Sequence, residues 1–137
     1  MSDGAYVDDA SIADAAALWR RIPPWHFVRD DNAGMLRPSS AAFENHPNGS
    51  PMSVVLGDEI IASGRSVREV VAGYADFAVA TFTAGLARDC GQGVVREPLP
   101  EEPAHAVVFG NKPKRVARRI AKSAVWVISP GDQYQKV

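Results

Sequence analysis

Residues 104–127 read AHAVVFGNKPKRVARRIAKSAVWV, and this stretch decides the fold class. The alternation over 105–109 predicts a strand with His105, Val107 and Phe109 on one face. Gly110-Asn111 supplies turn chemistry, and a helix is predicted over 112–127. At about 100° per residue, Val116, Ala117, Ile120, Ala121 and Ala124 share one arc, and Arg115, Arg118, Arg119 and Lys122 share the opposite one. A strand turning directly into an amphipathic helix points to an α/β chain. The helix has an apolar floor and a positive roof.

Lys112, Lys114, Arg115, Arg118, Arg119 and Lys122 place six positive charges in eleven residues, with no acid among them. The chain holds 15 basic and 16 acidic residues, so without those six, 9 basic residues face 16 acidic ones. The net charge of -1 therefore hides a basic segment on an acidic body. The first turn of a helix exposes unpaired N–H groups and carries partial positive charge, so cations are disfavoured there. Asn111, Lys112, Lys114 and Arg115 make sense in that position if an anion occupies it, with Arg118, Arg119 and Lys122 extending the contact. The glycine spacing of a P-loop is absent. Three readings stay open: a solvated face, a phosphate-bearing partner (nucleic acid before nucleotide), or an acidic protein partner.

Working toward the N-terminus, residues 96–103 hold three prolines and three glutamates and form a stiff connection. Thr83 caps a predicted helix over 84–89 that Gly91 ends. Residues 77–82 read as a buried strand, and Ser66-Val67-Arg68-Glu69 matches a capping box opening a helix to about Tyr74. Residues 39–43 and 52–56 look extended, and Pro47-Asn48-Gly49 between them predicts a hairpin. Residues 25–28 form an aromatic-rich strand, and residues 29–34 form a polar loop with Asp30, Asp31 and Asn32. Ile12, Ala15, Trp19 and Ile22 recur at helical spacing, with Asp9 or Ser11 as cap and Pro23-Pro24 as terminator.

The expected architecture is α+β in one compact domain spanning 1–137. A small mixed sheet of four to five short strands, including the early hairpin, packs against about four helices. Trp19 and Trp126 are expected in the core. With 46% hydrophobic and 23% charged residues, the chain has material for a core and no membrane span. A lone Cys90 fits a reducing compartment, and the acidic N-terminus does not read as a signal, so a cytoplasmic location is expected.

A second chemistry is carried by His26, Arg37, Ser39 and His105, which supply a base, an anion-orienting guanidinium and a hydroxyl, as in small transferases or nucleases. If they act together they must converge on one pocket. The same residues around 26–40 also read as a loop bonding its own backbone. His26, His46 and His105 lack metal-ligand spacing, so no metal or cofactor is expected.

Arg37-Pro38-Ser39-Ser40-Ala41-Ala42-Phe43, Met52-Ser53-Val54, and Pro103-Ala104-His105-Ala106 with Gly110 together form a pattern. It resembles one in short bacterial proteins of uncharacterised activity. The resemblance covers roughly residues 18–126 and implies a bacterial, cytoplasmic origin, with no activity attached.

Overall fold

The computed structural model describes residues 6–30 and 34–130. In chain order the elements are β1 (Ala17–Ile22), β2 (Phe27–Asp30), β3 (Met35–Pro38), β4 (Met52–Leu56), α1 (Gly57–Ala62) and α2 (Val67–Val70). They continue with β5 (Ala78–Thr83), α3 (Ala84–Asp89), β6 (Gly93–Arg96), β7 (His105–Phe109), α4 (Lys114–Ser123) and β8 (Val125–Ile128). Six strands form one sheet in the order β6-β7-β4-β1-β5-β8, and β2 and β3 form a separate ladder. The class is α+β, and the described residues hold four α-helices and eight strands where four to five strands were expected, with every ladder among them antiparallel rather than mixed. No helix among the described residues is long and apolar enough to cross a membrane.

The sheet is covered on both faces. Leu18 and Ile22 of β1 join Val54, Phe82, Val108, Phe43, Val116 and Ile120 in one core. Trp19, between them in sequence, joins Val55, Val79, Ile60 and Val70 in a second core on the other face. This corrects the first predicted helix. Of the residues at helical spacing, Ile12 and Ala15 lie in the turns before β1, while Trp19 and Ile22 are strand residues from opposite faces. A strand buried on both sides loses the polar alternation that would identify it. Trp19 is buried as expected, at 8% exposure, but through a different element.

The expected hairpin is also replaced. Residues 40–43 form a 3-10 turn that Ser39 caps by accepting the Ala41 N–H at 3.1 Å. Strand β4 pairs instead with β1 and β7. The early hairpin is β2–β3, running from Phe27 opposite Pro38 to Asp30 opposite Met35. Asp31 and Asn32 of its loop lie outside the described residues. The capping box at Ser66 is present, but its helix stops at Val70. The Thr83 cap and helix α3 stand as read, with the hydroxyl accepting from Leu86 N–H.

The predicted 112–127 helix divides into α4 and β8. Ala124 is extended, and Val125, Val127 and Ile128 favour the pleated surface of β5 over a helix. Trp126 thus lies on β8, half-buried, with its Nε1 donating to Leu36 O at 3.1 Å and its ring meeting Phe27 edge-on. Helix α4 carries the chain from β7 across β4, β1 and β5 to β8 at the far edge. Val116, Ala117 and Ile120 are buried, and the helix packs on the 40–43 turn.

Gly57 opens α1 against the indole of Trp19, and a Cβ at that position would overlap the ring. Gly57→Ala should therefore destabilise the fold by about 1–3 kcal/mol through overpacking. A urea midpoint unchanged from wild type would contradict this packing.

Candidate polyanion-binding face

The start of α4 is fixed by a polar junction. Lys112 folds back so that Nζ donates to Asn45 Oδ1 at 2.6 Å and to Val108 O at 2.7 Å. Asn45 Nδ2 donates to Gly110 O, and Gln92 Nε2 donates to Asn111 O at 2.8 Å. Lys112 is half-buried, so its ammonium secures the end of β7 rather than joining the positive roof. Asn111 is exposed, with its carbonyl occupied by Gln92. Pro113 stands at the N-cap.

The other five cations behave differently. Lys114, Arg115, Arg118, Arg119 and Lys122 are all exposed. Among the described residues none has a hydrogen-bond or ion-pair partner. Elsewhere, several arginines are tied down. Arg65 clamps Glu102 through two bonds of 2.9 and 2.8 Å. Arg88 pairs with Asp14 and Asp8, and Arg96 with Asp9 and Glu59. Arg21 lies over the Tyr74 ring at 4.3 Å.

Arg20 projects between β1 and the 40–43 turn, donating to Ala42 O at 2.9 Å and Ser53 O at 2.7 Å. Burial first, and Arg21 second, push its pKa down to about 10, and it stays charged at neutral pH.

Helix α4 bears local repulsion. Lys114/Arg118, Arg115/Arg119 and Arg118/Lys122 are like charges four apart, each destabilising by roughly 0.2–0.5 kcal/mol. Lys114 and Arg115 also oppose the helix dipole. Burial of Val116, Ala117 and Ile120 offsets this.

Of the four residues of the second chemistry, His26, Arg37 and Ser39 lie on or beside the β2–β3 hairpin and His105 lies on β7. His26 ends a 3-10 turn, with a buried Nδ1 that has no partner. Its carbonyl accepts Ser39 N–H at 2.8 Å, while the Ser39 hydroxyl serves as a cap. Arg37 points to solvent from β3. His105 sits on β7 with Nδ1 2.8 Å from Glu97 O and 3.6 Å from Glu97 Oε1. None of the four lines the cleft of about 560 Å³ bordered by Tyr6, His46, Ser53, Glu97 and Val107.

Sequence reading weighed His46 only as a metal ligand and gave Ser53 no chemical role. Their ring Nε2 and hydroxyl approach to 3.5 Å in that cleft. The only signal for them was a histidine before the Pro47-Asn48-Gly49 turn and a serine at the start of the next strand. Tyr6 OH donates to Glu97 Oε2 at 3.2 Å on the cleft's far wall. No three His, Cys, Asp or Glu side chains among the described residues gather as a metal site.

No protein-family model, no curated protein and no solved structure matches the chain.

Burial, then Arg20, lower the pKa of both His26 and His46; His105 adds to this at His46, and Glu44 opposes it at His26. Both rings are therefore neutral at pH 7. A folded pKa below the unfolded value of about 6.5 means that stability is fully present above pH ~6.5 and is lost as pH falls through the folded values. Proton NMR titration should place both imidazole midpoints below ~6.5. Replacing both by Gln should flatten the fall in urea midpoint on acidification from pH 7.

Proposed function

We propose that this protein docks nucleic acid through the exposed face of α4. The observation that carries the reading is the row of five exposed cations that have no partner among the described residues, on a chain whose Arg65, Arg88 and Arg96 are paired with acids. From Lys114 to Lys122 the row is about 12 Å long at 1.5 Å per residue. One DNA strand carries a phosphate for about every 3.4 Å of helix axis, so a polymer meets several of these charges at once. A single nucleotide would need the donors to converge on one point, and these are spread along a line. The acidic remainder of the chain repels polyanions from other faces and orients their approach toward α4.

An oligonucleotide anisotropy titration from 50 to 200 mM salt should give a straight log–log fall in affinity. Arg118→Ala with Arg119→Ala should reduce the slope by roughly one unit per lost phosphate contact. No binding at low salt, or an unaltered slope, would defeat the proposal. A solvated face and an acidic protein partner would then be the remaining readings of the helix.

A second reading rests on the cleft. His46, neutral and 3.5 Å from Ser53, is placed to take the serine proton in acyl transfer. A fluorophosphonate probe should then label Ser53 in wild type and not in His46→Ala. Absence of labelling at Ser53 removes the enzymatic reading.

A further inference from the structure

We propose that the nucleic acid held at α4 is single-stranded and stacks an unpaired base on Trp25. This rests on the docking reading above and adds a second site to it. The three tryptophans differ sharply: Trp19 is 8% exposed, Trp126 is half-buried, and Trp25 is 74% exposed. Leaving an indole in water forfeits its apolar burial and leaves its surface available to a ligand.

The ring is also held in place. Phe77 meets it at 5.8 Å and 88°, and His26 at 6.4 Å and 67°, both T-shaped. No aromatic ring among the described residues stacks parallel on it. Phe77 is braced by Tyr74 at 5.1 Å, beneath the Arg21 guanidinium. Pro23 and Pro24 fix the backbone leading to it, and Pro24 opens the 3-10 turn that carries the ring. This arrangement is an oriented indole, the kind of platform on which single-stranded binders stack bases irrespective of sequence.

The sheet register puts Trp25 and the start of α4 at the same end of the molecule. Ile22 at the end of β1 lies opposite Ala78, and Val108 near the end of β7 lies opposite Met52 at the start of β4. Leu18 opposite Leu56 then fixes β1 and β7 as ending on the same side. Between the two sites runs a short chain of contacts. His26 O accepts from Ser39 N–H, Ser39 caps the 40–43 turn, and α4 packs on that turn. Arg37, exposed and without an ion-pair partner among the described residues, adds a cation on the hairpin leading into it. A site of a few nucleotides, the size that small single-strand binders cover, reaches from the stacked base to the α4 cations. A duplex keeps its bases stacked on one another and offers none to Trp25.

The full chain should be titrated at low salt with a fluorescein-labelled 12-nucleotide oligothymidylate and with a 12-base-pair duplex. Trp25→Ala should weaken oligothymidylate binding by about five- to a hundredfold, the range set by one base stack, and leave duplex binding unchanged. Arg118→Ala with Arg119→Ala should weaken both. Intrinsic fluorescence of wild type should be quenched by oligothymidylate, and Trp25→Phe should lose that quenching, which decides the matter if Trp25→Ala fails to fold. Unchanged oligothymidylate binding in Trp25→Ala, equal loss on both probes, or quenching that survives in Trp25→Phe overturns the stacking site while leaving α4 docking intact. The first of these is also the result expected if Trp25 is a protein-docking ring. Failure of wild type to bind either probe overturns both.

Discussion

Strand β1 carries two cores at once, and the rest of the molecule is arranged around that demand. Leu18 and Ile22 must be covered on one face and Trp19 on the other. An antiparallel sheet has no built-in helical crossover to cover it, so separate segments do the work. On the Trp19 face, short helices α1 and α2 supply Ile60 and Val70. On the Leu18 face, the 40–43 turn and α4 supply Phe43, Val116 and Ile120. Helix α4 is therefore fixed from beneath by a core requirement, whatever its upper surface does. That independence lets the exposed side carry a charge pattern that would not sustain a helix alone.

The arginines show the same division between structure and surface. Arg20 reaches into the fold and meets carbonyl oxygens of Ala42 and Ser53 instead of a carboxylate. It ties β4 and the 40–43 turn to the central strand, so the platform under α4 is hydrogen-bonded as well as packed. Arg88 and Arg96 bind Asp8, Asp9 and Asp14 of the N-terminal segment to α3 and β6. Such exposed pairs contribute little each, but they consume acids. The last acids before α4 in the chain, Glu101 and Glu102, precede β7, and Glu102 is held by Arg65. That bond is the largest influence holding the Glu102 carboxyl below the usual range, so it is charged and engaged at neutral pH.

How far the sequence could be read depended on whether the deciding interaction was local. The Thr83 cap, strand β7 and the apolar arc of α4 follow from residues within one or two turns of one another, and all three stand. Strand β1 failed because its burial comes from both faces of a sheet assembled from distant segments. Ser39–Phe43 failed because a serine cap and a short apolar run read equally well as an extended segment or as a 3-10 turn. Strand β8 was hidden by the continuity of its apolar residues with the helix before it. Of the candidate site residues, the five exposed cations were legible because exposure follows from helical phase. Lys112 was not, because its three hydrogen-bond acceptors come from a strand end, a turn and Asn45 far back in the chain. The pairing of His46 with Ser53 crosses a loop, and no periodicity encodes it.

The junction at Lys112 explains why the positive row begins where it does. A lysine one residue before a proline cap would ordinarily extend the row and crowd Lys114 and Arg115 further. Folded back onto Val108 O, Gly110 O and Asn45, it instead satisfies carbonyls at the end of β7 and leaves the first exposed charge at Lys114. The ammonium also sets the angle at which the chain enters α4, since Gln92 and Asn45 hold the two intervening backbone oxygens. The roof of α4 is thus oriented by a cation that takes no part in it. What remains exposed is repulsion without relief among the described residues, and an anion bound there would lower it, which would couple binding to the stability of α4 through the same charges.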